Sequence, residues 1–554
     1  MIWLAIILVF LNKTCFSFEI TDEEYDRMPP LFRLDEYQKC MVQNGVYCQI
    51  KLDLFAEPEN TLMKFIKEYS ESTHIRHYNH SYLEEGICVT RTCKEYIGDK
   101  NLDDAEDVKS VIEACRNASI WNEYGLQARV SLVYNCDRKS DQRQVDLVDW
   151  LAMGLFITIV LVNVAATIYD SVLDDEAKTN LSKGTRVFLC FSIIRNWNYL
   201  RSPPSKDPKV SIFKGINAMR TITSFLVILA HVMCIFTLGS LYNTHDHERS
   251  FSTPHFRILW HGMHSVQMFF VMSGLLLAYN MEAGSETRPI TWKMVPLIGL
   301  HRFWRLTPAF AVMLAFTATW LRHLGSGPLW TKQVVSVTEQ CRQYWWTHLL
   351  YINNYVASNV LCAVHTWYSA ADTQMFYIGL AVHIMTKGRK RNLVLAALTI
   401  LGIVLPALHV WYYDTHAFMV FTPEFARTIN TDDFRLVYVI GHNNIICYVF
   451  GMYAGYRLYE YRKKGTTFAG SKMLMQFGVL TVAYLISIPF YLMVEAPMDP
   501  ILKLVLTPAK RDDKGIPEHG KSYITQVYKK KGEANEKQPI GSDAKTTQEE
   551  NKKK

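Results

Sequence analysis

A chain of 554 residues, 49% hydrophobic and 13% aromatic with a net charge of +7, has room for several domains and is too apolar to read as an ordinary soluble protein. Its apolar residues are segregated into stretches of about 20, long enough to cross ~30 Å of hydrocarbon as helices. Residues 18–146 hold 16 Lys and Arg against 25 Asp and Glu, a local −9, so the remainder carries +16; this basic excess lies beside the apolar stretches, where membrane topology accounts for it, and it implies no nucleic acid.

Residues 1–17 read as a signal peptide, because the apolar run Ile2 to Leu11 is short and is followed by Lys13 and the small residue Ser17. The amino terminus alone supplies its positive charge, so an uncleaved anchor is the alternative. Residues 18–146 then form a lumenal or extracellular domain in an oxidising compartment. Its six cysteines, Cys40, Cys48, Cys88, Cys93, Cys115 and Cys136, predict three disulfides of open connectivity. Their spacing matches no zinc-ligand pattern, so no metal is expected. Asn79-His80-Ser81 and Asn117-Ala118-Ser119 are glycosylation sequons suited to such a surface.

A first span and a cytosolic linker occupy 147–214, a membrane domain 215–506, and a disordered polar tail 507–554. The fold class is mainly α: a polytopic helical membrane bundle with a small disulfide-rich N-terminal ectodomain. Spans are predicted at Leu151–Tyr169, Ile222–Leu238, Met263–Met281, Thr307–Leu321, Trp367–Met385, Leu393–Tyr413, Leu436–Tyr456 and Met473–Val494. With the amino terminus outside, the alternate connections 170–216, 282–306 and 386–392 are cytosolic, and they are the basic ones. Parity fails at the end, where Lys503, Lys510, Arg511 and Lys514 follow the last span closely. An odd number of additional helices between Lys464 and Lys472 would restore it.

His231 lies eleven residues, ~16 Å of helix, beyond Arg220, which places an imidazole near mid-membrane. Such a group is a functional candidate, with a helix-bridging histidine as the alternative. His301-Arg302-Phe303-Trp304-Arg305 precedes the span at Thr307 and puts Arg302 and Arg305 at i and i+3. Paired guanidiniums suit a phosphate-bearing ligand; anchoring to lipid headgroups is the alternative.

Arg220-x10-His231, Arg302-x-x-Arg305 and Phe269-Phe270-Val271-Met272-Ser273-Gly274 together resemble the acyltransferase 3 family of integral membrane enzymes. The six-cysteine domain, one span and then this core is similar in particular to the nose-resistant-to-fluoxetine branch found in animals. Further matches are the stretch from Cys341 through Trp345-Trp346 and Asn353-Asn354 to Cys362, then Trp367-Tyr368 with Asp372-Thr373-Gln374-Met375-Phe376, and the closing Val494-Glu495-Ala496-Pro497.

The resemblance implies transfer of an acyl group from a cytosolic thioester, with acyl-CoA as donor substrate and no bound cofactor, to a hydroxyl on a membrane lipid, sterol or sugar. His231 accepts the hydroxyl proton, a task an imidazole suits near neutral pH. Asp372 orients that imidazole or binds the acceptor. Arg220, Arg302 and Arg305 hold the donor's phosphates, and Ser273 and Gln374 line the pore. Cys341 and Cys362, in one lumenal loop, are expected to pair, with Cys190, Cys234 and Cys447 free. The membrane is the endoplasmic reticulum or the plasma membrane, with the amino terminus lumenal or extracellular. Gln267 stands where the family has an acid before Phe-Phe, and the core has fewer spans than the family's. A non-enzymatic lipid-binding or lipid-transport protein is the alternative function, and a secondary transporter a third.

Overall fold

The computed structural model describes residues 20–71, 77–141, 143–174, 181–202, 213–253, 265–415, 422–427 and 431–464. The signal peptide at 1–17, the eighth span at Met473–Val494, the Lys464–Lys472 junction beyond its first residue and the tail at 507–554 lie outside the described residues.

The N-terminal domain is built on a four-stranded sheet in the order β1-β3-β2-β4, comprising β1 (Phe32–Leu34), β2 (Val46–Phe55), β3 (Tyr82–Cys88) and β4 (Gln127–Arg138). β1 runs parallel to β3, and the other pairings are antiparallel. Ile50, Leu52, Leu54 and Val130 bury against Ile66 of α1 (Thr61–Glu71) and against Val111, Ile112 and Ile120 of α2 (Ala105–Tyr124). α2 starts where the Asp104 carboxylate accepts hydrogen bonds from the amides of Glu106 and Asp107, and it stops at Gly125, whose φ of 65° is left-handed.

Three disulfides staple this domain, and together they fix the connectivity that spacing left open. Cys48 and Cys136 sit opposite each other on β2 and β4 and are bonded. Cys40–Cys88 ties the short helix Tyr37–Val42 that precedes β2 to the end of β3, and Cys93–Cys115 ties the segment after β3 to α2. Each such link is typically worth ~2–4 kcal/mol, substantial for a domain of this size. A buried bidentate pair, Arg116 Nε and Nη2 donating to Glu85 at 2.6 Å each, lies between α2 and β3.

The remainder is a helical bundle. Its helices are α3 (Leu147–Val172), the short α4 (Lys183–Leu189) and α5 (Ile193–Arg201), α6 (Lys214–Thr237), α7 (Thr244–Ser252), α8 (Val266–Ser285), α9 (Val295–Ala318), α10 (Ser336–Leu349), α11 (Trp367–Met385), α12 (Gly388–Tyr413) and α13 (Ile445–Lys463). Four helices among the described residues are long and apolar enough to cross a membrane: α3, α6 from Gly215, α8 and α12. Leu151, Leu155, Val160, Leu161 and Ile168 of α3 face outward, as lipid-contacting side chains do.

Two predicted spans need correction. The one placed at Thr307–Leu321 is the second half of α9, which begins at Val295 and carries Pro308 in its interior. The helix continues past Pro308 and its missing N–H. The one placed at Leu436–Tyr456 becomes helical in the ordinary α sense only at Ile445, after a π-type turn over Asp433–Tyr438 and a 3-10 turn over Gly441–Asn444.

α8 and α13 form the centre of the bundle. A methyl group added at Gly274 would overlap the Tyr448 carbonyl oxygen, one at Gly451 that of Val271, and one at Gly455 that of Leu275. The missing side chains let the two backbones meet, the usual way in which membrane helices pack without a hydrophobic driving force. α3 is fastened to this body at its N-terminal end by charge, by a hydrogen bond from Trp320 Nε1 to the Asp149 carbonyl oxygen at 2.8 Å, and by the contact of Trp150 with Trp320. Asp149, fully buried, accepts from Arg322 Nη2 at 2.7 Å and lies 3.1 Å from His323 Nε2, and it is paired with Arg342 as well.

The N-terminal domain seats on the same end of the bundle. Tyr69 donates its hydroxyl to Glu248 of α7 at 2.5 Å, and the Tyr78 amide donates to the same carboxylate at 2.6 Å. Lys332 Nζ and Arg427 Nε reach Glu84 of β3 at 2.8 and 3.3 Å.

Candidate functional site

Arg220, Ser273, Arg302 and Arg305 converge on one cavity of about 280 Å³, completed by Leu276, Leu277, Asn280, Met281 and Phe376. The convergence follows from the helices: Arg220 lies in the second turn of α6, Ser273 faces it from α8, and Arg302 and Arg305 share a face of α9 at i and i+3. Arg220, Arg302 and Arg305 lie in the first halves of α6 and α9, which start away from the N-terminal domain, and Ser273 lies in the first half of α8, which starts nearer to it. No carboxylate lines the cavity, but Arg302 is paired with Asp372 behind it, so Arg220 and Arg305 are the uncompensated charges that face the space. That arrangement suits a polyanion carrying planar or tetrahedral oxygens. The volume is at the small end for ligand sites and accommodates a phosphate group with part of a chain.

Arg302 is turned inward, away from lipid headgroups. It is ion-paired with Asp372 of α11 and stacks its guanidinium 4.3 Å from the centre of the Phe376 ring. Arg302 is about 10 Å from the start of α9 and Asp372 about 8 Å from the start of α11, at 1.5 Å per residue. Because the two helices start at opposite ends of the bundle, the pair is well inside it. Arg302 Nε and Asp372 Oδ1 are both buried without a hydrogen-bond partner. The expectation that Asp372 orients His231 is therefore corrected: its carboxylate serves Arg302.

His231 sits one helical stretch further along α6 and is half-buried. Its Nδ1 is 2.7 Å from the Val227 carbonyl oxygen. A carbonyl can only accept, so Nδ1 carries the proton and Nε2 keeps a lone pair, the tautomer a base requires. The ring does not line the arginine cavity; it faces His365, perpendicular, with centroids 6.3 Å apart. The structure thus brings Arg220, Ser273, Arg302 and Arg305 together and places His231 beyond them.

Gln374 is not at the cavity either. Its Nε2 donates to Tyr351 O at 2.9 Å and to Asn354 Oδ1 at 2.8 Å, so it ties α11 to the loop after α10. Gln267 donates to Asn444 Oδ1 at 2.6 Å, and its own Oε1 is buried without a partner. Cys341 and Cys362 are bonded to each other, while Cys190, Cys234 and Cys447 are free thiols. Asn79 Oδ1 accepts from the amide and hydroxyl of Ser81, whereas Asn117 Oδ1 accepts from the Ala128 amide. Among the described residues no group of three or more His, Cys, Asp or Glu could hold a metal ion.

His365, His348 and Asn280 escaped the sequence reading. His365 lies two residues before the Trp367-Tyr368 pair that the sequence picks out, and a polar residue at the entry of a span was the available signal. His348 is buried, with Nδ1 2.9 Å from Thr366 Oγ1, and burial together with neighbouring His365 pushes its pKa down to about 4.

Residues 213–508 match the family model for the acyltransferase domain of the acyltransferase 3 family, more than half of the chain and all of the elements that form the cavity. The chain belongs to the acyltransferase 3 family. A curated relative from Caenorhabditis elegans, nose resistant to fluoxetine protein 6, is 23% identical over 330 residues. The alignment covers 55% of this chain and 38% of the relative, so the chain spans well under two thirds of that protein's length. No solved structure matches the chain. Within the acyltransferase 3 family it falls in the nose-resistant-to-fluoxetine branch. The four apolar helices and the family point to an integral membrane protein.

Proposed function

We propose that the chain transfers an acyl group from acyl-CoA, bound at the arginine cavity, to a hydroxyl of a lipid, sterol or sugar acceptor. The observation that carries this reading is the convergence of Arg220, Arg302 and Arg305 on one cavity with no carboxylate in its lining. The guanidiniums of Arg220 and Arg305 hold the donor's phosphates bidentately, Arg302 adds positive field from its pair with Asp372, and Ser273 and Asn280 add neutral hydrogen-bonding groups beside them. The cavity is too small for the whole donor, so the acyl-bearing end extends past Phe376 toward the middle of the bundle. There His231 Nε2 takes the proton of the acceptor hydroxyl as its oxygen attacks the thioester carbonyl. The C–S bond breaks, and the departing thiolate receives that proton.

The same reading places the N-terminal domain on the lumenal or extracellular side, since three disulfides form there and persist only in an oxidising compartment. A signal peptide at 1–17 would deliver it, and the donor cavity, at the opposite end, would then open toward the cytosol.

The experiment uses the full chain in membrane vesicles with radiolabelled acetyl-CoA or palmitoyl-CoA. His231→Ala is expected to lose at least a hundredfold of label transfer with unchanged abundance. Unchanged transfer removes His231 as the base. The alternative, a non-enzymatic lipid carrier, predicts that no thioester is consumed by the wild-type chain at all.

A further inference from the structure

We propose that His365 holds the acceptor hydroxyl against His231 from the N-terminal-domain end, making it a second imidazole of the same reaction centre. The proposal rests on the reading of His231 as the base and adds to it the side from which the acceptor enters.

Four observations converge. His231 Nδ1 is committed to Val227 O, so its reactive nitrogen is Nε2. The His365 ring stands perpendicular to it with centroids 6.3 Å apart, too far for a direct hydrogen bond between them and suited to one oxygen atom bonded to both. Desolvation, followed by the nearby His231, lowers the pKa of His365, so it stays neutral with one N–H to donate. Finally, the turn that carries it is held in an unusual shape. Ala363, a non-glycine, has a φ of 39°, and Thr366 Oγ1 is bonded by both His348 Nδ1 and Asn353 Nδ2, at 2.9 and 3.3 Å. A left-handed alanine is costly and persists where its surroundings demand it.

The chemistry balances without a further reactant. The acceptor hydroxyl has one proton, which goes to His231 Nε2; its oxygen keeps a lone pair, to which His365 donates its N–H. As the oxygen–carbonyl bond forms and the C–S bond breaks, the proton passes from His231 to the thiolate. His365 begins and ends neutral. Water needs no such positioning, so hydrolysis of the thioester depends on His231 alone.

The test compares two fates of label from radioactive acetyl-CoA or palmitoyl-CoA in vesicles holding the full chain: incorporation into endogenous membrane acceptors and release as free acid. His365→Ala is expected to lower the ratio of transfer to hydrolysis about tenfold, the loss of one hydrogen bond. His365→Asn or His365→Gln, which retain a donor, should restore most of that ratio. His231→Ala should depress both fates together. An unchanged ratio in His365→Ala, or equal losses of both fates with no rescue by the amides, overturns the role of His365 and leaves His231 standing. Retention of both fates by His231→Ala overturns the base and, with it, the placing of the acceptor between the two imidazoles. A wild-type chain inert in both measurements removes the reading and the proposal with it.

Discussion

Arg302 and Asp372 meet inside the bundle from helices that start at opposite ends of it, and each retains a buried polar atom with no partner. Removing one member of such a pair leaves an uncompensated charge in a poorly solvated place, which typically costs ~3–5 kcal/mol, whereas removing both costs far less. Asp372→Ala is therefore expected to destabilise the chain more than the double variant Arg302→Leu with Asp372→Leu. Thermal unfolding in detergent or nanodiscs checks this; a double variant worse than the single shows that the pair does more than cancel charge.

Arg305 lines the same cavity but is exposed and makes no ion pair with a carboxylate among the described residues. Its loss should spare stability and weaken the donor. Arg305→Ala is expected to raise KM for acyl-CoA about tenfold with kcat little changed, and Arg305→Lys to recover part of it, because a point charge lacks the planar fork. Equal KM values for acyl-CoA and for a dephosphorylated donor fragment would show that the arginine does not read phosphate.

Much of this was legible in the sequence. Apolar length located the helices, and the spacing of Arg302 and Arg305 fixed their shared face. What failed did so for identifiable reasons. The span was begun at Thr307, after His301-Arg302-Phe303-Trp304-Arg305, so the first half of α9 fell outside it, and with it the depth of Arg302. Asp372 and Gln374 are two residues apart in α11, and spacing alone cannot say that one turns to Arg302 and the other to Asn354. His365 lies in a three-residue turn, too short for periodicity to orient.

The glycine seam between α8 and α13 makes a sharp contrast with Gly154, which has open space around it. Gly451→Leu must push two backbones apart and is expected to abolish accumulation of folded chain. Gly154→Leu, on the outward face of α3, should be within about 0.5 kcal/mol of wild type. Size-exclusion profiles and protease resistance read both; a well-folded Gly451→Leu would show that the helices do not meet as described.

Acid should loosen the seat of the N-terminal domain. Burial pushes the His247 imidazole down to about 4, against the opposing pull of Glu248. A depressed histidine contributes stability that is present above its unfolded pKa of ~6.5 and is lost as pH falls toward 4, because the unfolded chain binds the proton first. Glu84 adds to this lower down: burial tends to raise its pKa, yet Lys332 and Arg427 hold it below the usual carboxylate range. Thermal stability is therefore expected to fall between pH 6.5 and 4, by on the order of 2–3 kcal/mol from His247 alone. His247→Asn should flatten that window and leave the decline below pH 4.5. The same slope in wild type and variant would assign the acid sensitivity elsewhere.

The two sequons differ in what their asparagines are already doing. Asn79 is in a turn where Ser81 donates both its amide and its hydroxyl to Oδ1, so the amide nitrogen points away from the bonds that hold the side chain. Asn117 lies within α2 and uses Oδ1 to receive the Ala128 amide at the start of β4. Glycosylation there would have to break a helix-to-strand bond, whereas at Asn79 the turn is ready-made. Enzymatic removal of N-glycans is expected to shift the mobility of the wild-type chain and of Asn117→Ala but not of Asn79→Gln. Asn117→Ala should instead lower the unfolding temperature, since a buried backbone amide loses its acceptor at ~1–3 kcal/mol. A glycan found at Asn117 would mean that modification precedes folding of α2 and that the bond to Ala128 forms differently in the mature chain.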